Sequence, residues 1–159
     1  MPDAAKPVAA APPATFEVRL AAAHDAERLA SLATQLGYPM DEGTARARFA
    51  EAARDHRHAL AVVERKGAVI GWMELEVRSN LAGGRAAEIM GLVVDQAERR
   101  SGAGKALLAF AERWAAERHL PTLRVRSNAK REEAASFYPS AGFELEKMQR
   151  VFVRKVGGG

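Results

Sequence analysis

Between Ala87 and Asn128 the hydrophobic period of the chain changes twice, and few folds accommodate that order of changes. Ile89 to Val94 is an apolar run without a charge, short enough for a strand buried on both faces. Asp95 to Ser101 is polar and reads as a turn. From Gly102 onward Leu107, Phe110, Ala111 and Trp114 share one helical face, while Lys105, Glu112, Arg113 and Glu117 lie away from it. The helix must end before Pro121. Thr122 to Arg126 then alternates apolar and charged residues, as a half-buried strand does. A strand, a crossover helix and a second strand imply a parallel pair, and hence an α/β fold.

The join between the first of these strands and the helix is an anion site in outline. Gly102 and Gly104 carry no side chains where a helix leaves its first amide hydrogens unpaired and its dipole positive. Arg99, Arg100 and Lys105 add charge around it, so the fitting guest is a phosphate or pyrophosphate. Two nucleotide loops fail here. The dinucleotide fingerprint G-x-G-x-x-G needs a third glycine where Leu107 stands, and the P-loop needs glycine at Arg99 and Ser or Thr at Ala106. Neither NAD nor ATP is supported.

The hexapeptide Arg99-Arg100-Ser101-Gly102-Ala103-Gly104 fits the pattern Q/R-x-x-G-x-G/A, and Leu92-Val93-Val94 precedes it as an L-x-V strand. Asn128 closes the second strand, and Ala134 to Phe143, A-A-S-F-Y-P-S-A-G-F, is similar to A-x-x-F-Y-x-x-x-G-F. On these residues, and on the hairpin pattern of Ala59 to Val77, the chain resembles the GNAT superfamily of N-acetyltransferases, in particular its small bacterial members. It departs from the family at Gln96, where proline is usual, and at Arg100, where many members have glycine. The resemblance implies a mixed, mostly antiparallel sheet with a central parallel strand pair and helices on both faces. It also implies acetyl-CoA as acetyl donor. The backbone of Leu92, Val93 and Val94 would take the pantetheine arm, and Arg99, Arg100, Gly102, Ala103, Gly104 and Lys105 the pyrophosphate. Asn128 would contact the cofactor or tie the parting strands together.

The 159 residues suit one domain with one core, expected over residues 15–156 between tails at 1–14 and 157–159. With no cysteine, disulfides, thiolate zinc sites and a cysteine nucleophile are ruled out. The net charge of +4 is read as serving an anionic cofactor. The basic residues are spread along the chain without a recognised nucleic-acid motif, so no nucleic-acid partner is expected. No run approaches a membrane span, and Met1 to Ala14, rich in Ala and Pro, lacks the basic start and unbroken apolar part of a signal peptide. The expectation is a cytoplasmic protein without a membrane partner, and a possible homodimer, since dimers are common among similar proteins.

The remaining elements follow in chain order. Phe16, Val18 and Leu20 mark a first strand. His24 or Asp25 caps a helix that carries Leu29, Leu32 and Leu36 and stops at Gly37, and Asp41 caps a second helix through about His56. His58 to Glu64 and Ala68 to Arg78 form a hairpin around Arg65-Lys66-Gly67. In its second strand Trp72, Glu74, Glu76 and Arg78 share one face, opposite Met73, Leu75 and Val77. Ser79 to Arg85 reads as a flexible connection. A C-terminal helix begins near Arg131, contains Pro139 and stops at Gly142, and Phe143 to Lys147 and Arg150 to Val156 read as closing strands.

Acetyl transfer to an amine needs a free amine, a polarised thioester carbonyl and a proton for the departing thiolate. An alkyl ammonium of pKa about 10.4 must first lose a proton. Glu88, at the start of the buried strand, matches by its distance to Arg99 the glutamate of histone-type family members. It is the candidate base, since partial burial raises a carboxylate's proton affinity; the other reading is an edge carboxylate that orders a neighbour. Tyr138 matches the tyrosine that donates a proton to the thiolate in many family members; the other reading is an aromatic packed against the cofactor. Gln35 to Pro39 is similar to a stretch bordering the acceptor pocket in small bacterial members, so Tyr38 and Met40 either meet the substrate or, for Tyr38, pack the helix corner. Glu74 and Glu76 either attract the amine or form a solvated face. His56 and His58 lack further ligands at metal spacing, and no metal is expected. The expected activity is direct acetyl transfer to a primary amine of a small molecule in a ternary complex. The alternatives are a peptide or protein amine as acceptor, with aminoglycosides still possible, and a non-catalytic acyl-CoA sensor.

Overall fold

The structure, a computed structural model, describes residues 15–158. The tail expected over residues 1–14 lies outside the described residues. The chain divides into two compact units, one ending at Val125 and the other beginning at Arg126.

The first unit carries strands β1 (Glu17–Leu20), β2 (His58–Arg65), β3 (Ala68–Asn80), β4 (Gly84–Val94) and β5 (Leu123–Val125), and helices α1 (Ala26–Leu36), α2 (Glu42–Ala53) and α3 (Ala103–Glu117). Local chemistry sets most of these boundaries. Gly37, at φ 103°, takes the left-handed position that ends α1. The Asp41 carboxylate accepts the Thr44 amide at 2.7 Å and starts α2. Lys66 and Gly67 both have positive φ, 52° and 77°, so β2 and β3 are joined by the mirror-image turn whose twist suits a hairpin.

The strands lie in the order β1-β2-β3-β4-β5, antiparallel except for the parallel β4–β5 pair that the crossover through α3 requires. β5 is the last strand in this order, so the parallel pair closes one edge of the sheet. Two register shifts matter. One lies in the β2–β3 ladder between Val63 and Glu64; the other leaves Met90 as an extra residue in β4 opposite Glu74 and Leu75. The connection expected at Ser79 to Arg85 is shorter than the glycines suggest: β3 runs to Asn80 and β4 starts at Gly84, with the Asn80 side chain accepting the Gly83 amide at 2.6 Å.

Alternation along β2 and β3 divides the core between two faces. Val62 joins Ala26, Leu29, Ala30 and Ala45 in a cluster against which Trp72, Leu60 and Phe49 pack, so α1 and α2 cover this face. Ala61, Val63, Met73 and Leu75 point the other way and are fully buried. α3 packs across all five strands and buries Leu107, Leu108, Ala111 and Trp114. Each fully buried side chain the size of Leu75 or Leu107 contributes about 1.5–3 kcal/mol. Arg19 grips buried Asp25 through two hydrogen bonds, at 2.8 and 3.0 Å, and also holds Glu64, which pins β1, the start of α1 and β2 together.

The second unit contains α4 (Glu132–Ser140), with Pro139 in its last turn and Gly142 beyond it at φ 93°. The closing strands expected over Phe143 to Lys147 and Arg150 to Val156 are not formed. Leu145, Met148, Val151, Phe152, Val153 and Val156 are exposed instead. Alternation permits a strand, but a neighbouring edge must supply the backbone hydrogen bonds, and these residues have none in the ladder pattern. No helix among the described residues is long and apolar enough to cross a membrane.

Candidate functional site

β4 ends in a loop that is fixed from three sides. Asp95 pairs with Arg28 of α1, the Gln96 amide donates to Gln35 Oε1 at 3.0 Å, and Arg65 Nη1 donates to Glu98 Oε2 at 3.0 Å. The Arg28 guanidinium holds the Asp95 carboxyl below the usual carboxylate range, with the Ala97 amide as a second cause. These anchors present the start of α3 in a set direction. Gly102 is its N-cap at φ 99° and has no side chain to cap the helix; of the first-turn amides, that of Ala103 donates to Ser101 Oγ at 3.4 Å. Phe16 lies beneath, 3.4 Å from where a Cβ on Gly102 would stand. Arg99, Arg100 and Lys105 are exposed around this end, while Ala103 is buried and Gly104 half-buried. Arg100 adopts φ 63°, a left-handed position that costs an ordinary residue about 1–2 kcal/mol and a glycine none.

Among the described residues, the strand leading to that loop has a ladder partner on one side only beyond Ile89. The β4–β5 ladder pairs Ala87, Glu88 and Ile89 with Leu123, Arg124 and Val125 and goes no further. Leu92, Val93 and Val94 are paired with Met73, Trp72 and Gly71 of β3. Strand backbone beyond the end of a ladder offers N–H and C=O groups to an amide-bearing ligand, as an edge strand does.

On the α1–α2 face, Glu88 lies directly across from Glu76, and Glu74 across from Gly91. Glu88 is the fifth residue of β4 and only 1% exposed, not a half-buried residue at the strand start. Its burial follows from strand on both sides of it, β3 through Glu76 and β5 through Arg124. Arg78 stands between the two like charges, with Nε 3.6 Å from Glu88 Oε2 and Nη1 3.6 Å from Glu76 Oε2. Burial pushes the Glu74 carboxyl above the usual range; His58 opposes this and Glu76 adds to it. The Tyr38 ring is 65% exposed and packs no corner, whereas Met40 lines a cavity with Trp72 and Glu74.

Tyr138 and Asn128 belong to the second unit. Tyr138 sits on α4 with its ring edge-on to Phe137 and Phe143, at centroid distances of 5.1 and 5.5 Å. Burial pushes its phenol above the ordinary value, against a smaller lowering by Arg131. Asn128 does not close β5, which ends at Val125; it sits in a turn where its side chain accepts the Lys130 amide at 3.0 Å.

Sequence reasoning missed the loop anchors Arg28, Gln35 and Arg65, and the bridge through Arg78. Each of these contacts joins residues remote in sequence or depends on strand register, so local pattern carries no sign of them. Phe49, the one aromatic residue in a polar α2, was the available signal for the cavity under the helices. His58 approaches Asp55 and Glu74, at 3.4 and 4.0 Å. No cluster of three metal-ligating side chains occurs among the described residues.

The fold has many counterparts. Aminoglycoside N-acetyltransferase AAC(6')-Iy, solved in complex with CoA, superposes with a TM-score of 0.78 at 20% identity, over 89% of this chain and 95% of its own. Glucosamine-6-phosphate N-acetyltransferase from Arabidopsis thaliana superposes at 0.74 and 19% identity, over 89% and 99%. A transcriptional regulator from Bacillus halodurans C-125 does so at 0.76 and 23% identity, over 87% and 100%. No curated protein sequence matches the chain. The family model described as Acetyltransferase (GNAT) family matches residues 21–143, which takes in the loop after β4, all of α3 and the aromatic helix α4. The chain belongs to the acetyltransferase (GNAT) family.

Proposed function

We propose that this protein transfers an acetyl group from acetyl-CoA to a primary amine of a small molecule, directly and in a ternary complex. The observation that carries the reading is the continuity of β4: one strand holds a buried carboxylate, a backbone stretch beyond the β5 ladder and an anchored lead into a helix with a glycine N-cap and three exposed cations. The family match runs over residues 21–143, inside the acetyltransferase domain proposed over 15–156.

The residues present fit coenzyme A on two counts. The α3 start has a glycine at its N-cap, leaving room and donors for a pyrophosphate; Leu92, Val93 and Val94 offer backbone groups to the pantetheine amides. Arg99, Arg100, Gly102, Ala103, Gly104 and Lys105 complete the phosphate side, with Asn128 a further contact. Bound acetyl-CoA supplies the activated thioester. Glu88 takes the proton from the acceptor ammonium, directly or through water. Tyr138, a phenol that is protonated at neutral pH at its ordinary pKa, is the group that hands a proton to the thiolate. Tyr38 borders the entrance for the acceptor.

Thiol release from acetyl-CoA, followed against a panel of small amines, aminoglycosides and peptides, tests this reading with Glu88→Gln and Tyr138→Phe beside the wild type. Turnover on a small-amine class, cut by about 10²-fold or more in each variant, is expected. Turnover on peptides alone would move the acceptor to a protein amine. Coenzyme A binding without turnover on any acceptor would point to a sensor, and no coenzyme A binding would overturn the reading.

A further inference from the structure

The face of β3 that bears Trp72, Glu74 and Glu76 is only partly open to water. α1 and α2 cross it and leave a cavity of about 160 Å³ between helices and sheet. Met40, Phe49, Leu60 and Trp72 give it an apolar wall, and its charged members are Glu74 and Arg48. Trp72 is a fixed wall: its indole N–H donates to the Leu29 carbonyl at 3.2 Å, and its ring lies so close to Gly91 that a Cβ there would stand 3.1 Å from Cζ3. Glu74 pairs across the ladder with Gly91, one residue before Leu92 and beside the bulge in β4. The carboxylate end of the cavity therefore lies against the strand to which the pantetheine arm is assigned.

Resting on the acetyltransferase reading above, we propose that this cavity is the acceptor site and that it selects a compact, singly charged primary amine whose apolar body is no larger than a six-membered ring. Three observations carry this. First, size: an apolar cavity of about 150 Å³ holds one benzene ring, whereas sites for drug-sized ligands run to about 300–1,000 Å³. The space beneath α1 and α2 is of the first kind. Second, charge: Glu74 offers a single half-buried carboxylate to an ammonium, and the exposed guanidinium of Arg48 repels further positive charge on the same ligand. Third, placement: an ammonium on Glu74 lies on the same face as Glu76 and Glu88, so the group that binds the amine and the group assigned to deprotonate it are successive on that face, with the bulge at Met90 between them. A multi-ring polycation such as an aminoglycoside fails the first two of these conditions.

The test is calorimetric titration of the full chain with 2-phenylethylamine, with an aminoglycoside and with glucosamine 6-phosphate, each with and without saturating coenzyme A. Phenylethylamine is expected to bind at least tenfold more tightly than either sugar. Glu74→Gln, which removes the charge, and Ala52→Leu, which fills the cavity from α2, should each weaken it at least tenfold while leaving coenzyme A affinity unchanged. Thermal melting of both variants identifies any loss of fold. Equal or tighter binding of the aminoglycoside, or unchanged phenylethylamine affinity in folded Glu74→Gln, would overturn the proposal. Failure of coenzyme A to bind would instead overturn the acetyltransferase reading on which it rests.

Discussion

Gly71 is the residue on which the geometry of β4 depends most sharply. A Cβ built there lies 2.7 Å from the Val93 carbonyl oxygen, well inside the C···O approach of about 3.3 Å that close-packed strands tolerate. The same atom would stand 3.0 Å from Val63 Cγ1, and Val63 is fully buried, so the methyl has no free direction. Gly71→Ala must therefore displace β4 by several tenths of an ångström. Overpacking of this kind costs about 1–3 kcal/mol, and contact with backbone puts it at the upper end. Against a total stability of about 5–15 kcal/mol the variant still folds at 25 °C. The displaced residues are Val93 and Val94, so coenzyme A affinity should fall as well, by roughly tenfold for a shift of this size. Urea unfolding with a coenzyme A titration measures both effects. Gly43→Ala, in α2, is the control: a Cβ there meets only the Asp41 side chain at 3.5 Å, and better helix propensity should raise stability by roughly 0.5 kcal/mol. Wild-type stability in Gly71→Ala would refute the packing argument. Lost stability with unchanged coenzyme A affinity would detach Val93 and Val94 from cofactor binding.

The other predictions concern charge. The Arg19 guanidinium holds the Asp25 carboxyl below the usual carboxylate range, so the pair adds stability above the unfolded value of about 3.9 and loses it as pH falls through the folded value. Asp25→Asn should cost roughly 2 kcal/mol at pH 7, less than a sealed ion pair because Arg19 keeps Glu64 and some solvent, and its stability should vary less between pH 5 and pH 3; unfolding midpoints across that range check it. Tyr138→Phe should lower kcat far more than it changes KM for acetyl-CoA, and the wild type should show no alkaline loss attributable to this phenol below about pH 10, since its pKa is raised; a pH–rate series decides. Asp95→Ala frees the loop from Arg28 and should weaken coenzyme A binding about tenfold with little change in acceptor affinity, as titration of each ligand alone would show.

Much of the first unit was legible because its signals are local. The change of period at Gly102, the aspartate before α2 and the Lys66-Gly67 turn each specify their own neighbourhood, and β4, α3 and β5 follow from the first of these. The candidate cofactor stretch from Leu92 to Lys105 carries its pattern locally, and the family match spans it. What escaped is set by register. Met90 is an extra residue only with respect to β3, and Glu88 is buried because β3 and β5 flank it at that position. The cavity draws its wall from α1, α2, β2 and β3, four segments that meet only after folding. The closing strands fail for the opposite reason: Phe143 to Val156 alternates as a strand would, yet alternation carries no information about which edge pairs with it.

The central claim is that coenzyme A lies along the open stretch of β4 and the start of α3. Backbone amide chemical shifts followed during a coenzyme A titration of the isotopically labelled chain test it most directly. The account predicts saturable changes concentrated at Leu92–Val94 and at Gly102–Lys105, reduced by Lys105→Ala and by added salt because part of the attraction is between exposed charges. Saturable changes centred elsewhere, with these amides unmoved, would contradict it.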